Sequence, residues 1–173
     1  MNPVMENLLT RRSVRKFTAQ RISREALAAI LKAGIYAPSG MNMQTMRLTA
    51  VTDREKIQRL AEITGRKLGR CDYDFYKPDV LVIPTNERES RWGMEDNACA
   101  MENMFLAAHS LGIGSVWINQ LREVCDDEEV RSLLREWGIP DGHTVYGAAA
   151  LGYAADGAVC ENPKKVSVIN IVE

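Results

Sequence analysis

The sequence predicts a sheet covered by helices, of α+β or α/β type. Apolar runs of strand length alternate along the chain with segments of helical periodicity, and the central runs have no polar face that could meet solvent. The chain has 173 residues, of which 46% are hydrophobic and 26% are charged. This length and composition suit one globular domain with a substantial core, and we therefore expect a single domain over residues 1–173.

Helices in the first half of the chain are predicted by capping residues and apolar spacing. Val4 to Thr10 is expected to form a short helix that leads into a basic turn. Ser23 is placed to cap a second helix, which must end before Pro38 because the residue before proline is pushed out of the helical region. Asp53 is placed to cap a third helix, and Gly65 is expected to end it.

The second half of the chain predicts two further helices after an irregular segment. Residues Arg66 to Pro78 are aromatic and charged, and indicate a surface loop or a lid over a site. The longest helix is expected from Glu95 to Leu111. Asp126 with Glu129 three residues later has the pattern of a capping box for the last helix, which is expected to end at Gly138.

Apolar runs between these helices predict the strands. A short run of this kind, bounded by turn residues, is typical of a strand buried on both faces. The tail, residues 154–173, has apolar side chains that require a surface to cover them. Their periodicity does not show whether that surface belongs to the same subunit or to another. The predicted strands are Met46–Val51, Val80–Ile83, Ser115–Ile118 and Val145–Tyr153.

Charge and the first residues of the chain argue against several classes of protein. Twenty-two basic and 23 acidic residues leave a net charge of −1, so no global field favours nucleic acid or an anionic membrane. The polar start, Met1 to Arg12, lacks the apolar region of an export signal, and no run approaches the roughly 18 apolar residues of a membrane helix. We therefore expect a cytoplasmic protein.

The four cysteines and two histidines suggest neither a disulfide framework nor a metal centre. The cysteines are widely spaced without a CxxC pair, so free thiols are expected in the cytoplasm. His109 and His143 have no partners at the spacing of metal ligands, and no metal is expected.

A basic segment at the end of the first helix is the first candidate binding motif. Arg11, Arg12, Ser13 and Arg15 place three guanidinium groups and a hydroxyl within five residues. One guanidinium group can donate two parallel hydrogen bonds to phosphate oxygens, and the serine hydroxyl adds a neutral donor. The alternative is a solvated basic face, which composition alone favours.

A turn rich in uncharged polar residues follows the second helix. Pro38 and Gly40 force the turn, which presents Ser39, Asn42 and Gln44. Amide groups can pair with the donors and acceptors at the edge of a heteroaromatic ring. The alternative is an ordinary loop that ends a helix.

The third candidate is the turn from the longest helix into the strand that follows it. Gly112 and Gly114 allow close approach of the backbone, and the end of the strand, Trp117-Ile118-Asn119, could offer free N–H groups to a ligand. These glycines follow a helix, whereas those of a dinucleotide fingerprint open one. Without further context, Trp117 is expected to be a core residue.

Together, and in this order, the three segments resemble the nitroreductase family of flavoenzymes. The resemblance covers nearly the whole chain. It rests on Arg-Arg-Ser-x-Arg at 11–15, Ala-Pro-Ser-x-x-Asn-x-Gln at 37–44 and Glu-Asn-Met at 102–104 leading to Leu-Gly-Ile-Gly at 111–114. Gly152-Tyr153 and the pair Lys164-Lys165 after Pro163 complete it.

The resemblance implies a fold, an assembly and a cofactor. The fold is the α+β nitroreductase type, a central mixed sheet wrapped by helices, whose C-terminal tail is exchanged in a homodimer. FMN is bound without a covalent bond at the subunit interface, and NAD(P)H is the electron donor. The residues implied in FMN binding are Arg11, Arg12, Ser13, Arg15, Pro38, Ser39, Gly40, Asn42, Gln44, Trp117, Ile118, Asn119, Lys164 and Lys165.

Individual roles follow from the same resemblance. Arg11, Arg12 and Ser13 are expected at the phosphate and ribityl chain, with Lys164 and Lys165 closing over the phosphate. Arg15 is expected at the N1/O2 side of the ring and Asn42 at the pyrimidine edge. Residues 38–40 are expected to pack on the ring from the other subunit, and residues 117–119 to lie near N5.

The implied activity is transfer of hydride from NAD(P)H through flavin N5 to an electron-poor acceptor, a nitroaromatic, a quinone or a similar compound, by a ping-pong mechanism. No side chain is expected to act as a catalytic nucleophile, because the flavin supplies the chemistry. The alternatives are the same fold with reductive dehalogenation or flavin breakdown, a non-catalytic flavin- or nucleotide-binding module, and a small nucleic-acid-binding domain. The near-neutral net charge argues against the last.

Overall fold

The structure, a computed structural model, describes residues 2–159 and 167–173. The described part contains six α-helices and five strands. The helices are α1 (Pro3–Thr10), α2 (Arg24–Ile35), α3 (Arg54–Lys67), α4 (Gly93–Ser110), α5 (Gln120–Val124) and α6 (Glu128–Glu136). The strands are β1 (Arg47–Val51), β2 (Val80–Glu87), β3 (Gly114–Ile118), β4 (His143–Val145) and β5 (Ala148–Gly152).

The strands form one sheet in the order β1-β2-β5-β3, with β4 also paired to β2. The described strands pair in antiparallel fashion. One isolated parallel bridge joins Ser13 to Ser115 and adds the parallel component. The α+β class expected from the family resemblance is confirmed.

Side chains on the two faces of the sheet belong to two separate cores. Leu81 and Val116 point into the core that α3, α5 and α6 cover. Val80 and Val82, which alternate with Leu81 along β2, point into the core that α2 and α4 cover. The molecule therefore has three layers, and the absence of a polar face on the central strands is explained by helices on both sides.

The predicted caps of α2 and α3 are confirmed, but the predicted end of α3 is wrong. The Ser23 hydroxyl accepts the N–H of Ala26 at 3.1 Å, and Asp53 caps α3 in the same way. Gly65 lies inside α3, where a Cβ atom would come within 2.6 Å of the Tyr73 side chain. The helix ends instead at Lys67 with Leu68 as its C-cap, and Gly69, which follows, has the φ of +64° that suits the left-handed residue after a helix C-terminus.

The predicted capping box of the last helix is wrong, because the N-cap lies one residue later, at Asp127. Asp127 caps α6 by accepting the N–H of Glu129 at 3.0 Å. Asp126 pairs instead with the guanidinium groups of Arg88 and Arg131. The prediction was wrong because an acidic residue lies at both positions and tertiary ion pairs occupy the first.

The last predicted strand is two strands, and α5 was not predicted. Three residue steps separate Val82 from Thr85 in β2, whereas four separate their partners Ala149 and Val145. The extra residue forms a bulge around Tyr146 and breaks the strand there.

The segment expected to be a surface loop or a lid is anchored in the core. Its first two residues, Arg66 and Lys67, belong to α3. Phe75 is fully buried, and the Tyr73 hydroxyl donates a hydrogen bond to Gln120 at 2.9 Å. The expectation of a surface loop is wrong at Phe75, which packs with the α3–α6 core.

Candidate functional site

The basic segment after α1 lies across the ends of β3 and β5. Ser13 forms a parallel bridge with Ser115, and the N–H of Val14 donates to the Ser115 carbonyl at 2.9 Å. Further along, Phe17 forms an antiparallel bridge with Ala154. The backbone of the arginine-rich segment is therefore held by the sheet.

Two paired glycines make this close approach possible. Gly114 and Gly152 face each other across β3 and β5. A Cβ atom at Gly114 would come within 2.8 Å of Val14, and one at Gly152 within 2.8 Å of Phe17. The sequence-based expectation of close approach is confirmed at Gly114, where the approaching chain is the basic segment itself, but not at Gly112, where a Cβ atom would meet nothing within 4 Å.

Helix α1 fixes the position of Arg11. The Asn7 amide donates to the Leu106 carbonyl at 2.9 Å and so attaches α1 to α4. The Arg11 side chain is only 16% exposed, and its guanidinium lies 5.8 Å from the centre of the Phe105 ring. Its Nε is 3.8 Å from Glu102, an ion pair longer than a hydrogen bond, so its donors remain able to bind an anion.

A cavity of about 240 Å³, here called the basic cavity, opens beside Arg11. Its wall includes His109, whose Nε2 lies 2.9 Å from the Thr10 hydroxyl. Burial lowers the pKa of His109, and the charges of Arg11 and Arg12 lower it further. The local potential is therefore positive and favours an anionic ligand. The cavity is lined by Thr10, Arg11, Arg12, Val14, His109, Gly112, Ile113, Gly114, Ser115, Ala154 and Val159.

The other members of the basic segment are placed differently. One terminal nitrogen of Arg12 donates to the carbonyl groups of Leu9 at 2.7 Å and Arg11 at 2.8 Å, so this guanidinium also closes the end of α1. Ser13 is half-buried, and Arg15 is exposed. Arg11 and Arg12 thus line the basic cavity, whereas Arg15 does not.

The uncharged turn after α2 surrounds a second cavity of about 230 Å³. The Ser39 hydroxyl accepts the N–H of Gln44 at 3.1 Å, and the Gln44 amide donates to Asn42 at 2.8 Å. Met41, Asn42 and Gln44 have φ values of +50°, +56° and +52°, which cost such residues about 1–3 kcal/mol each. A backbone under this strain requires support from its surroundings.

Buried polar side chains supply that support. Asp96, in the first turn of α4, accepts the N–H of Gly40 at 2.8 Å. Its other oxygen faces the amide nitrogen of Asn86 at 3.5 Å, and Asn86 in turn accepts the Thr45 hydroxyl at 2.7 Å. Sequence reasoning did not identify this set. The only local signal was an acidic residue at the start of a helix, which is equally typical of an exposed first turn.

Two of the three residues in the third segment, at the end of β3, are exposed to solvent. Trp117 and Asn119 are exposed, whereas the side chain of Ile118 is fully buried in the core. Ile118 can therefore reach a ligand only through its backbone. Trp117 packs edge-to-face on Phe105 at 6.4 Å, so the expectation that it is a core residue is wrong in part.

Alternating aromatic rings and glycines connect this third segment to the turn after α2. A Cβ atom on Gly147 would come within 2.4 Å of the Trp117 ring, and one on Gly93 within 2.8 Å of the Tyr146 hydroxyl. In the same way, a Cβ atom on Gly40 would come within 2.2 Å of the ring of Trp92. We call this set, Gly40, Trp92, Gly93, Trp117, Tyr146 and Gly147, the aromatic wall. Sequence reasoning missed it, although the two aromatic–glycine dipeptides, 92–93 and 146–147, were a signal.

The structure does not bring all the predicted residues into one cavity. Pro38, Ser39 and Gln44 line the second cavity, which shares no lining residue with the basic cavity in the part of the chain that is described. Lys164 and Lys165 lie outside the described residues. Val159, the last described residue before them, lines the basic cavity.

Two features are absent from residues 2–159 and 167–173. No helix there is long and apolar enough to cross a membrane. No group of three or more His, Cys, Asp or Glu side chains within these ranges is arranged to hold a metal ion.

Comparison with known proteins identifies the family. The model of the nitroreductase family matches residues 8–153, which include the basic segment, the turn after α2 and the end of β3. The chain belongs to the nitroreductase family. Residues 160–173 lie outside the match.

Individual relatives agree with this assignment. The crystal structure of a nitroreductase with bound FMN from Bacteroides fragilis is 45% identical, covers 100% of both chains and superposes with a TM-score of 0.95. A nitroreductase with bound FMN from Desulfitobacterium hafniense is 25% identical, covers 100% of both chains and has a TM-score of 0.85. The NADPH-flavin oxidoreductase of Vibrio harveyi is 34% identical over 88% of this chain and 66% of its own length.

Proposed function

We propose that this nitroreductase-family chain is an FMN-dependent oxidoreductase. It takes electrons from NAD(P)H and reduces an electron-poor small molecule, a nitroaromatic, a quinone or a similar compound. The observation that carries the proposal is the basic cavity, where Arg11 and Arg12 converge at the start of β3. The bound FMN of the B. fragilis relative and the NADPH-linked activity in the name of the V. harveyi relative support the cofactor and the donor.

The residues around the basic cavity fit the phosphate of FMN. The cavity is small and lined by Arg11 and Arg12, and burial together with these two charges lowers the pKa of His109. Arg11, Arg12 and Ser13 would hold the phosphate and the ribityl chain, and Lys164 and Lys165 would close over it. Charge-assisted hydrogen bonds from guanidinium groups give such a site its affinity for phosphate.

The isoalloxazine ring would extend from the basic cavity along the aromatic wall. Trp117 and Asn119 are exposed there, and the backbone N–H groups of residues 117–119 would lie near N5. Arg15 would place its positive charge at the N1/O2 side, and Asn42 would pair with the pyrimidine edge. Within this proposal, residues 1–173 form one FMN-binding domain.

A second subunit would complete the site. Pro38, Ser39 and Gly40 would pack on the flavin of the partner, which accounts for a second cavity separate from the basic one. Large apolar side chains near this turn, Ile35, Tyr36, Met41 and Met43, are exposed in the single chain. Four apolar residues of the tail, Val168, Ile169, Ile171 and Val172, are exposed as well, and we propose that the tail is exchanged between subunits.

When bound, FMN supplies the redox chemistry, accepting a hydride at N5 and passing electrons on. The protein contributes binding, orientation and electrostatics. Trp117, held by Phe105 and Gly147, shapes one side of the space over the ring and excludes water from it. No side chain is required as a nucleophile.

Steady-state kinetics test this function. NAD(P)H and the acceptor would share one cavity over the flavin, and they must therefore bind in turn. We expect parallel double-reciprocal plots with NADH or NADPH and a quinone or nitroaromatic acceptor, and competition between the two substrates. Intersecting lines would contradict the shared cavity, and no oxidation of either nicotinamide by FMN-loaded protein would contradict the function.

A further inference from the structure

Gly40 is held from two sides by residues distant in sequence. The ring of Trp92 lies against one side of it, and the carboxylate of Asp96 accepts its N–H at 2.8 Å. The next residues, Met41 and Asn42, have left-handed backbones. The turn that carries Pro38 and Ser39 is thus strained at its exposed end and fixed at Gly40.

Asp96 is almost fully buried, at 5% exposure, and both of its oxygens face donors. One accepts the backbone N–H of Gly40, and the other faces the amide nitrogen of Asn86. The amide oxygen of Asn86 is already occupied, since it accepts the Thr45 hydroxyl at 2.7 Å and the N–H of Glu87 at 2.9 Å. These hydrogen bonds therefore all run the same way: groups of the turn and of β2 donate, and the Asp96 carboxylate only accepts.

We infer that Asp96 is a positioning residue, which sets the conformation in which residues 38–44 meet the flavin of the partner subunit. This inference rests on the proposed function, which makes FMN the ligand that the turn meets. Asp96 also lines the cavity beside Pro38, Ser39 and Gln44, so it acts from directly behind the residues in question. The same turn reaches Asn86 through Thr45, which ties its far end to β2.

The direction of these hydrogen bonds provides a specific test. In Asp96→Asn, the new NH2 group must face either the Gly40 N–H or the Asn86 NH2, and both are donors. Asn86→Asp creates the opposite fault, two carboxylates facing each other. The double variant Asp96→Asn/Asn86→Asp restores every pair, because residue 96 then donates to residue 86 and still accepts from Gly40.

The experiment measures three quantities on full-length protein. The first is amide hydrogen exchange of peptides covering residues 36–46 in the apoprotein. The second is FMN affinity, and the third is the visible circular dichroism of the bound FMN. For Asp96→Asn we expect faster exchange of the 36–46 peptides, FMN affinity weaker by about tenfold and an altered dichroism spectrum. The double variant should return all three toward the wild type. Glu95→Gln, an exposed neighbour in the same helical turn, is the matched control and should change none.

Thr45→Val provides a milder variant should Asp96→Asn fold poorly. It removes one donor at Asn86 and should shift the same readouts in the same direction by less. Wild-type exchange and dichroism in Asp96→Asn, or a double variant no better than Asp96→Asn, would overturn the inference. Failure of the wild-type protein to bind FMN would overturn the proposed function instead, while the exchange data would still report on how Asp96 holds the turn.

Discussion

The indole of Trp117 lies directly against the backbone of Gly147, where a Cβ atom would come within 2.4 Å of Nε1. The contact joins the end of β3 to the bulge between β4 and β5, and Phe105 supports the indole edge-to-face at 6.4 Å. The exposed part of Trp117 thus has its orientation set by two neighbours. In the proposed function this part borders the space over the flavin.

Gly147→Ala should therefore displace Trp117. The added methyl group has no space, and overpacking of this kind costs about 1–3 kcal/mol. We expect a lower melting temperature, a shift in tryptophan fluorescence and slower turnover. Gly142→Ala is the matched control, since a Cβ atom there meets nothing within 4 Å. Identical fluorescence and turnover in the two variants would show that Gly147 does not position the indole.

Arg11→Ala tests the basic cavity. Each charge-assisted hydrogen bond contributes about 1.5–3 kcal/mol, so loss of one should weaken FMN binding by roughly ten- to a hundredfold. Binding of riboflavin, which has no phosphate, should hardly change. Isothermal titration of the apoprotein measures both constants.

Lys16→Ala is the control for that titration, because Lys16 is exposed and does not line the basic cavity. It should alter neither constant. If Arg11→Ala behaved like Lys16→Ala, the segment would be a solvated basic face and the phosphate assignment would be wrong.

The pairing of Asp126 with Arg88 and Arg131 predicts a pH dependence of stability. The hydrogen bond with Arg88 is the largest influence on the pKa of Asp126; burial opposes it, the hydrogen bond with Arg131 adds to it, and the pKa is lowered to about 2. A carboxylate with a lowered pKa stabilises the fold above its unfolded pKa of about 4, and this stabilisation is lost as the pH falls through about 2. Asp126→Asn should thus be less stable than wild type at pH 7, and the difference should shrink toward pH 2.

Urea unfolding at several pH values measures this difference. The effect should be modest, because the Asp126 side chain is 58% exposed and solvent screens the pairs. Glu89→Gln, next to Arg88 and exposed, serves as the control. A difference between Asp126→Asn and wild type that stays constant from pH 7 to pH 2 would argue against the ion pairs as its source.

Removal of residues 167–173 should weaken the proposed dimer. The apolar side chains of this tail are exposed in the single chain and need a covering surface. In the proposed assembly that surface belongs to the partner, and a permanent interface would bury more than about 2,000 Å². Light scattering should show a dimer for the full chain and dissociation of the truncated one, with loss of FMN. A stable, FMN-loaded monomer of the full chain would contradict the exchange.

The sequence was sufficient where structure depends on local interactions. Ser23 and Asp53 were recognised as caps because a cap bonds to N–H groups two or three residues away. The sequence was insufficient where packing against residues distant in the chain decides which of two similar residues ends a helix. Gly65 and Gly69 are both plausible helix ends, and only the packing of Tyr73 against Gly65 identifies the second.

The same difference between local and long-range interactions applies to the candidate site. The arginines that line the basic cavity, Arg11 and Arg12, could be identified from a short run and a family resemblance. The aromatic wall could not, since Trp92 and Tyr146 are far apart in the sequence and each is matched to a glycine of another segment. The role of Asp96 likewise depends on Asn86, which a sequence pattern does not connect to it.

An anaerobic titration of the FMN-loaded protein with NADPH, and in parallel with NADH, tests the central claim most directly. The proposed function predicts that one equivalent of at least one nicotinamide per bound FMN abolishes the visible flavin absorbance. It also predicts that a quinone or nitroaromatic added afterwards, with no nicotinamide present, restores that absorbance. Protein that binds FMN and keeps its absorbance in excess NADPH and in excess NADH would contradict the account, because the chain would then be a flavin-binding module without oxidoreductase activity.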